Sequence, residues 1–231
     1  MRPYYSDESV TVYNCNAHEA VPLLPKADLL VTDPPYLQSK SGAGLIGRRQ
    51  TYKKIQELSD FDPRWLCEQL PTICKSAHGY IFCSKNLLAS YISFAESRGW
   101  GWDILVYAKN NPLPAKNNKY LSDAEFIIFF REAGKCYFNN ELPYENYFKV
   151  KHVNCSPAEF GHPTEKEIAV VKSIIQVSTR PDELVLDLYG GSGTTARAAK
   201  DLGRRCIVVE INEEYCETIA NRMSQEVLQF A

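Results

Sequence analysis

The sequence has no surplus of basic charge: Lys and Arg number 26 against 28 Asp and Glu, a formal net charge of -2. Whole-molecule charge does not draw the chain to nucleic acid, so any polyanion it binds must meet basic residues gathered locally. It has no C-x-x-C spacing. Its eight cysteines, Cys15, Cys67, Cys74, Cys83, Cys136, Cys155, Cys206 and Cys216, stand apart, some inside apolar runs such as Tyr80-Ile81-Phe82-Cys83. That is the pattern of buried free thiols in a reducing compartment. The four histidines, His18, His78, His152 and His162, have no metal-ligand spacing, and no metal is expected. There is no G-x-x-x-x-G-K-S/T, which disfavours an NTPase, and no G-x-S-x-G, which disfavours a hydrolase. No apolar stretch approaches the roughly 20 residues of a membrane span, and Met1-Arg2-Pro3-Tyr4-Tyr5 carries no signal core. A cytoplasmic protein is expected, with no membrane partner.

What is present is an ordinary globular composition, 45% hydrophobic and 23% charged, over 231 residues. That length suits one domain. Short β-rich runs alternate with helical segments, which argues for an α/β sheet. Strands are predicted at 29–32, 80–83, 103–108, 125–130, 184–188 and 205–209. Helices are predicted at 64–75, 87–98, 164–178, 194–202 and 213–227, with Asp62-Pro63 as the start of the first and Pro71 expected to kink or split it. Residues 39–47, with three glycines and two serines, read as a loop. Residues 134–160 are rich in Asn, Tyr, Phe and Pro and break the alternation, suggesting a small insertion.

The strongest local pattern is Leu186-Asp187-Leu188-Tyr189-Gly190-Gly191-Ser192-Gly193-Thr194-Thr195, a strand running through a glycine-rich turn into a helix. Glycines let the backbone approach a ligand closely, and a helix N-terminus favours an anionic group. Glu210 ends the next strand, where an acid can accept hydrogen bonds from ribose hydroxyls. The run is not a strict G-x-G-x-x-G, which makes a nicotinamide or flavin site less apt.

Asp33-Pro34-Pro35-Tyr36 directly follows a strand. Two prolines stiffen the turn and remove two N–H donors, leaving carbonyls and a carboxylate as acceptors. A planar amino group fits such a cluster, and Tyr36 offers a face for a stacked base. An exocyclic amine is a poor nucleophile because its lone pair is delocalised into the ring. Acceptors on Asp33 and the Pro34 carbonyl would hold its protons and aim the lone pair at a methyl donor, a gain from positioning and preorganised electrostatics. A base inside a duplex must be flipped out to reach such a pocket.

Together these motifs resemble the amino-methyltransferases of DNA, over nearly the whole chain. Asp-Pro-Pro-Tyr first and the glycine loop late is similar to the order of their permuted β group. The resemblance implies a Rossmann-like, doubly wound, mixed seven-stranded sheet in a single domain spanning 1–231, with S-adenosylmethionine as cofactor and double-stranded DNA as partner. It implies a catalytic turn of Asp33, Pro34, Pro35 and Tyr36. Gly161-His162-Pro163-Thr164-Glu165-Lys166 is similar to the family's His-Pro-Thr-Gln-Lys-Pro segment beside the cofactor, with Glu165 in place of Gln. Asn16 falls where many members carry an acid near the cofactor adenine. The implied cofactor set is Asn16, Asp33, His162, Lys166, Asp187, Tyr189, Gly190, Gly191, Ser192, Gly193, Thr194 and Glu210. In the family Asp at the first position of the catalytic turn goes mostly with N6-adenine and Ser mostly with N4-cytosine. Asp33 points to adenine; N4-cytosine, adenine in RNA and a catalytically inactive binding subunit stay open.

Lys40, Arg48, Arg49, Lys53 and Lys54 follow the catalytic turn, with no acid between Asp33 and Glu57. They are the candidates for phosphate contacts. Asn110 and Asn111 could read adenine edges or simply form a turn. Residues 134–160 are the candidate for target recognition, and a homodimer that shares recognition is left open. If DNA is the partner, the protein would sit with the nucleoid.

Overall fold

A computed structural model describes residues 1–35, 61–112, 120–121, 123–154 and 165–225. The strands are β1 (Tyr5–Ser6), β2 (Val10–Asn14), β3 (Leu29–Thr32), β4 (His78–Cys83), β5 (Gly101–Lys109), β6 (Ala124–Arg131), β7 (Val150–Val153), β8 (Leu184–Asp187) and β9 (Arg205–Glu210). The helices are α1 (Ala17–Ala20), α2 (Pro63–Ile73), α3 (Leu88–Ser97), α4 (Ile168–Ser178), α5 (Thr194–Asp201) and α6 (Glu213–Ser224).

All the strands join one sheet in the order β1-β2-β9-β8-β3-β4-β6-β5-β7. From β2 to β4 every neighbour is parallel; β6 runs antiparallel to both β4 and β5. The expected seven-stranded mixed sheet is present as β2 to β5 in this order, and the full sheet has nine strands. The two extra ones are short edge strands, β1 paired antiparallel with β2 and β7 parallel with β5. Two residues of β1 were too few to show an alternation, and β7 carries Lys and His among its four residues.

Apolar residues on both sides of the sheet explain the two helical layers. One face buries Val12, Leu29, Val31, Phe82 and Ile127 under Val171, Ile175, Ala199 and Ile219 of α4, α5 and α6. The other buries Leu30, Ile81, Ile128 and Leu186 under Leu66, Leu70 and Tyr91 of α2 and α3. Pro71 does not split α2, which runs unbroken from Pro63 to Ile73. It sits in the last turn, where only two helical residues follow it, and its carbonyl accepts from Lys26 Nζ at 2.9 Å. The start is as expected, with Asp62 capping the Arg64 N–H at 2.8 Å.

Residues 134–154 are less regular, yet they serve the sheet. A 3-10 turn at Tyr144–Tyr147 leads into β7, in register from Val106↔Val150 to Lys109↔Val153. The described thiols are free, and five of them, Cys67, Cys74, Cys83, Cys206 and Cys216, are buried. Among the described residues no helix is long and apolar enough to cross a membrane.

Candidate active site

The strand order reverses between β8 and β3. From β8 the chain passes through α5 to β9 on one side; from β3 it passes through α2 to β4 on the other. Ligand crevices in α/β sheets form at the carboxyl ends of strands at such a reversal. Two buried side chains bridge it: the Thr32 hydroxyl donates to Asp187 Oδ1 at 2.7 Å, and the same oxygen accepts the Tyr189 N–H at 3.1 Å. Burial pushes the Asp187 carboxyl up to about 7.

The glycine loop is packed against β9 and α6. A Cβ at Gly190 would lie 2.3 Å from Val208 Cγ1, so no other residue fits there without movement. Gly193 caps α5 at φ 80°, a left-handed conformation that glycine adopts freely. Glu210 grips the loop: Gly191 N–H donates to its Oε2 and Asn212 N–H to its Oε1, each at 2.8 Å. Burial raises the Glu210 carboxyl, with the backbone donors opposing. Ser192 is buried, and its carbonyl accepts from Arg222 Nη1 at 3.0 Å. Asn16 stands just beyond β2, beside β9, and its side chain caps α1 by accepting the His18 N–H at 2.9 Å.

On the other side of the reversal, Asp33 and Pro34 emerge from β3. Asp33 Oδ2 is 2.7 Å from Lys166 Nζ, while Oδ1 is buried with no hydrogen-bond partner among the described residues. Lys166 also stands 3.2 Å from Glu125 Oε2, and Glu125 pairs through its other oxygen with Lys109. Burial pushes the Asp33 carboxyl up, and Lys166 opposes it. Burial acts upward on Glu125 too, but the two lysines outweigh it and hold that carboxyl at about 2.

The structure thus brings Asn16, Asp33, Pro34, Pro35, Lys166, Asp187, Glu210 and the loop 189–194 to one edge of the sheet. Lys166, expected beside the cofactor, has its ammonium on Asp33. Tyr36, Lys40, Arg48, Arg49, Lys53, Lys54 and His162 lie outside the described residues. Asn110 is committed within the fold: its amide donates to Asn154 Oδ1 at 3.1 Å and its oxygen lies 3.2 Å from His152 Nδ1. Sequence reasoning missed Glu125, Lys109 and Arg222. Glu125 did leave a signal, as an acid beside the apolar run Phe126–Phe130.

A doubly wound sheet with a carboxylate turn and a glycine loop facing each other across the reversal is the architecture of a nucleotide-type ligand site. The chain belongs to the DNA methylase family, whose profile matches residues 27–222. It is 27% identical to the DNA adenine methyltransferase YhdJ of Escherichia coli K12, over 95% of this chain and 84% of that one. The M1.HpyAVI structure, solved as a complex with SAM, superposes with a TM-score of 0.71 at 28% identity, covering 94% of this chain and all of the other. The cytosine-N4-specific PvuII DNA methyltransferase shares the fold with a TM-score of 0.73 at 16% identity, over 98% of this chain and 90% of that one.

Proposed function

We propose that this protein transfers a methyl group from S-adenosylmethionine to N6 of an adenine flipped out of double-stranded DNA. The observation that carries the reading is Asp33: a partly buried carboxylate at the strand reversal, with one oxygen held by Lys166 and the other buried without a hydrogen-bond partner among the described residues. The residues present suit the cofactor. Three acids at one edge, the buried Asp187 and Glu210 and the partly buried Asp33, are all pushed up by burial, an environment that favours a cationic ligand. Glu210 at the end of β9 would hold ribose hydroxyls, with Asn16 beside it. Asp187, Tyr189, Gly190, Gly191, Ser192, Gly193 and Thr194 would line the rest, and His162 and Lys166 belong to the same set by resemblance. When bound, S-adenosylmethionine supplies a methyl group on a positively charged sulfur, electrophilic enough for a weak amine nucleophile.

The chain's own part is to hold the amine. Asp33 Oδ1 and the Pro34 carbonyl accept its two N–H bonds and turn its lone pair out of the ring plane. Pro35 fixes the turn, and Tyr36 stacks on the flipped base. Most of the acceleration then comes from fixed dipoles and position, with no proton moved in advance. Lys40, Arg48, Arg49, Lys53 and Lys54 supply phosphate contacts; residues 134–160 supply sequence preference, within a single domain that could share recognition across a homodimer.

Asp33 and the likeness to YhdJ, an adenine methyltransferase, favour adenine; the shared fold of the PvuII enzyme favours neither base over the other. The test is methyl-labelled cofactor with unmethylated DNA, followed by nucleoside analysis, with Asp33→Ala as control. Labelled N6-methyladenine that disappears in the control is the expected result. Label on cytosine N4 would overturn the base assignment and keep the mechanism. Cofactor binding without turnover on DNA or RNA would indicate an inactive binding subunit instead.

A further inference from the structure

Lys166 and Glu125 form a largely buried charge arrangement beside Asp33 that the amine-holding reading leaves without a role. The Lys166 side chain is only 8% exposed, and its ammonium is pinned from two sides, by Asp33 Oδ2 at 2.7 Å and Glu125 Oε2 at 3.2 Å. It also lies 5.3 Å from the centre of the Phe82 ring, which closes a third side. Glu125 is fixed in turn by Lys109. Four charges from β3, the segment before α4, β6 and β5 thus alternate in sign and sum to zero: Asp33, Lys166, Glu125, Lys109. A lone lysine on a flexible stem would be a poor orienting group; one held by a second carboxylate is a rigid one.

We propose that Lys166, anchored by Glu125, is a positioning residue for Asp33: it occupies Oδ2 and so assigns Oδ1 as the acceptor that meets the target amine. This rests on the reading of Asp33 as the amine acceptor. It moves Lys166 from the cofactor set to the base pocket and gives Glu125 a function. The groups facing Asp33 are Lys166, Glu125 on β6, Lys109 on β5, Asp187 on β8, Cys83 on β4 and Tyr91 on α3. Of these, Lys166 and Lys109 draw the Asp33 carboxyl down and Glu125 draws it up. Removing the lysine and removing the glutamate must therefore move its titration in opposite directions. That opposition tests the charge geometry; the positioning role itself is tested by the rate, which must fall while cofactor affinity holds.

The experiment measures single-turnover methyl transfer on DNA across pH, and cofactor affinity by calorimetry, for the unaltered protein, Lys166→Met, Glu125→Gln and Asp33→Ala. Lys166→Met is expected to lower the rate by about 100-fold, the scale of one lost preorganising contact. Its acid limb should move up by about one pH unit or more, as the loss of a close opposite charge requires. Cofactor affinity should change by less than about threefold. Glu125→Gln should move the acid limb down, with a smaller loss of rate. Asp187 also titrates nearby, pushed up by burial with Asp33 adding to the rise, so its limb is assigned separately from the pH profile of Asp187→Asn. The inference is overturned if Lys166→Met weakens cofactor binding as much as it slows transfer, or if the two limbs move together or stay put. Should Lys166→Met fail to fold, as judged by its melting curve, the direction of the Glu125→Gln limb decides alone. An active Asp33→Ala would sink the amine-holding reading and this inference with it. An inactive Asp33→Ala beside a fully active Lys166→Met would sink the inference only.

Discussion

The two halves of the sheet are built differently, and the difference locates the chemistry. From β2 to β4 the strands are parallel and covered by helices on both faces, and their carboxyl ends carry Glu210, Asp187 and Asp33. From β6 to β7 the pairing turns antiparallel and then parallel again at the edge, and the surface nearby exposes aromatics: Phe138, Tyr144 and Phe148. The parallel half is a rigid frame that points backbone and carboxylates at one crevice. The other half is half-solvated along β5 and β7, although β6 between β4 and β5 is buried on both faces. They meet at Asp33, whose partner Lys166 is held by Glu125 of β6. The crevice therefore depends on both halves, although every motif readable in the sequence belongs to the first or to its flanks.

The strongest test of that meeting point is Asp33→Ala. With the carboxylate gone, the amine loses an acceptor and Lys166 loses a partner, and single-turnover transfer should fall on the order of 10³-fold. Cofactor affinity should change far less. Retained activity would mean that the two halves meet for stability alone.

The next effect belongs wholly to the parallel half. Asp187 has a folded pKa of about 7 against an ordinary value of 3.8, because burial favours its neutral form. The folded state then binds more protons than the unfolded chain between about pH 4 and 7, so stability without cofactor must fall as pH rises through that window. The loss is on the order of 2–4 kcal/mol. Asp187→Asn keeps an acceptor for Thr32 and Tyr189 while removing the titration. Its denaturation midpoint should equal that of the native chain near pH 4 and exceed it near pH 8. Parallel pH profiles for the two proteins would show that Asp187 is ionised in the fold at no cost.

Two glycines compare the halves directly. Gly190→Ala in the parallel half forces a Cβ to 2.3 Å from Val208 Cγ1. Such overpacking costs about 1–3 kcal/mol, or a fall of roughly 3–10 °C in Tm, and should weaken cofactor binding too. Gly134→Ala, in the turn after β6, meets nothing within 4 Å; only its φ of 75° is unfavourable. It should cost about 1 kcal/mol, and Gly134→Asn less, because asparagine tolerates the left-handed region. Equal losses at the two sites would erase the distinction between a packed frame and a loose rim.

The same contrast explains what could be read in advance. Val185-Leu186, Leu29–Val31 and Ile207–Val209 are apolar because helices cover both faces, and each run ends at a polar residue of the crevice, so strands and site announce themselves together. Val10–Asn14 also alternates, with Val10 and Val12 buried, but polar neighbours concealed it as a strand. Glu125 and Lys109 could be seen as charged residues at strand ends, yet nothing local says that β6 inserts antiparallel between β4 and β5. Only that topology carries Glu125 to Asp33. Pro71 did not split its helix: it lies in the last turn, with only Thr72 and Ile73 after it.

The smallest stability effect is expected at the outer rim, and it is informative because it is small. Tyr144 is 78% exposed and Phe148 53%, their rings edge to face at 5.5 Å beside β7. Side chains so exposed bury too little area to hold the fold, so Tyr144→Ser with Phe148→Ser should shift Tm by no more than about 2 °C. If residues 134–160 meet DNA, the same pair should raise the KM for DNA several-fold and lower its affinity, since exposed aromatics are platforms for bases and sugars. A large fall in Tm would make them part of the core, and the half-solvated description of this side of the sheet would be wrong. An unchanged KM with an unchanged Tm would remove them from recognition and leave the basic stretch 40–54 to supply the contacts with the duplex.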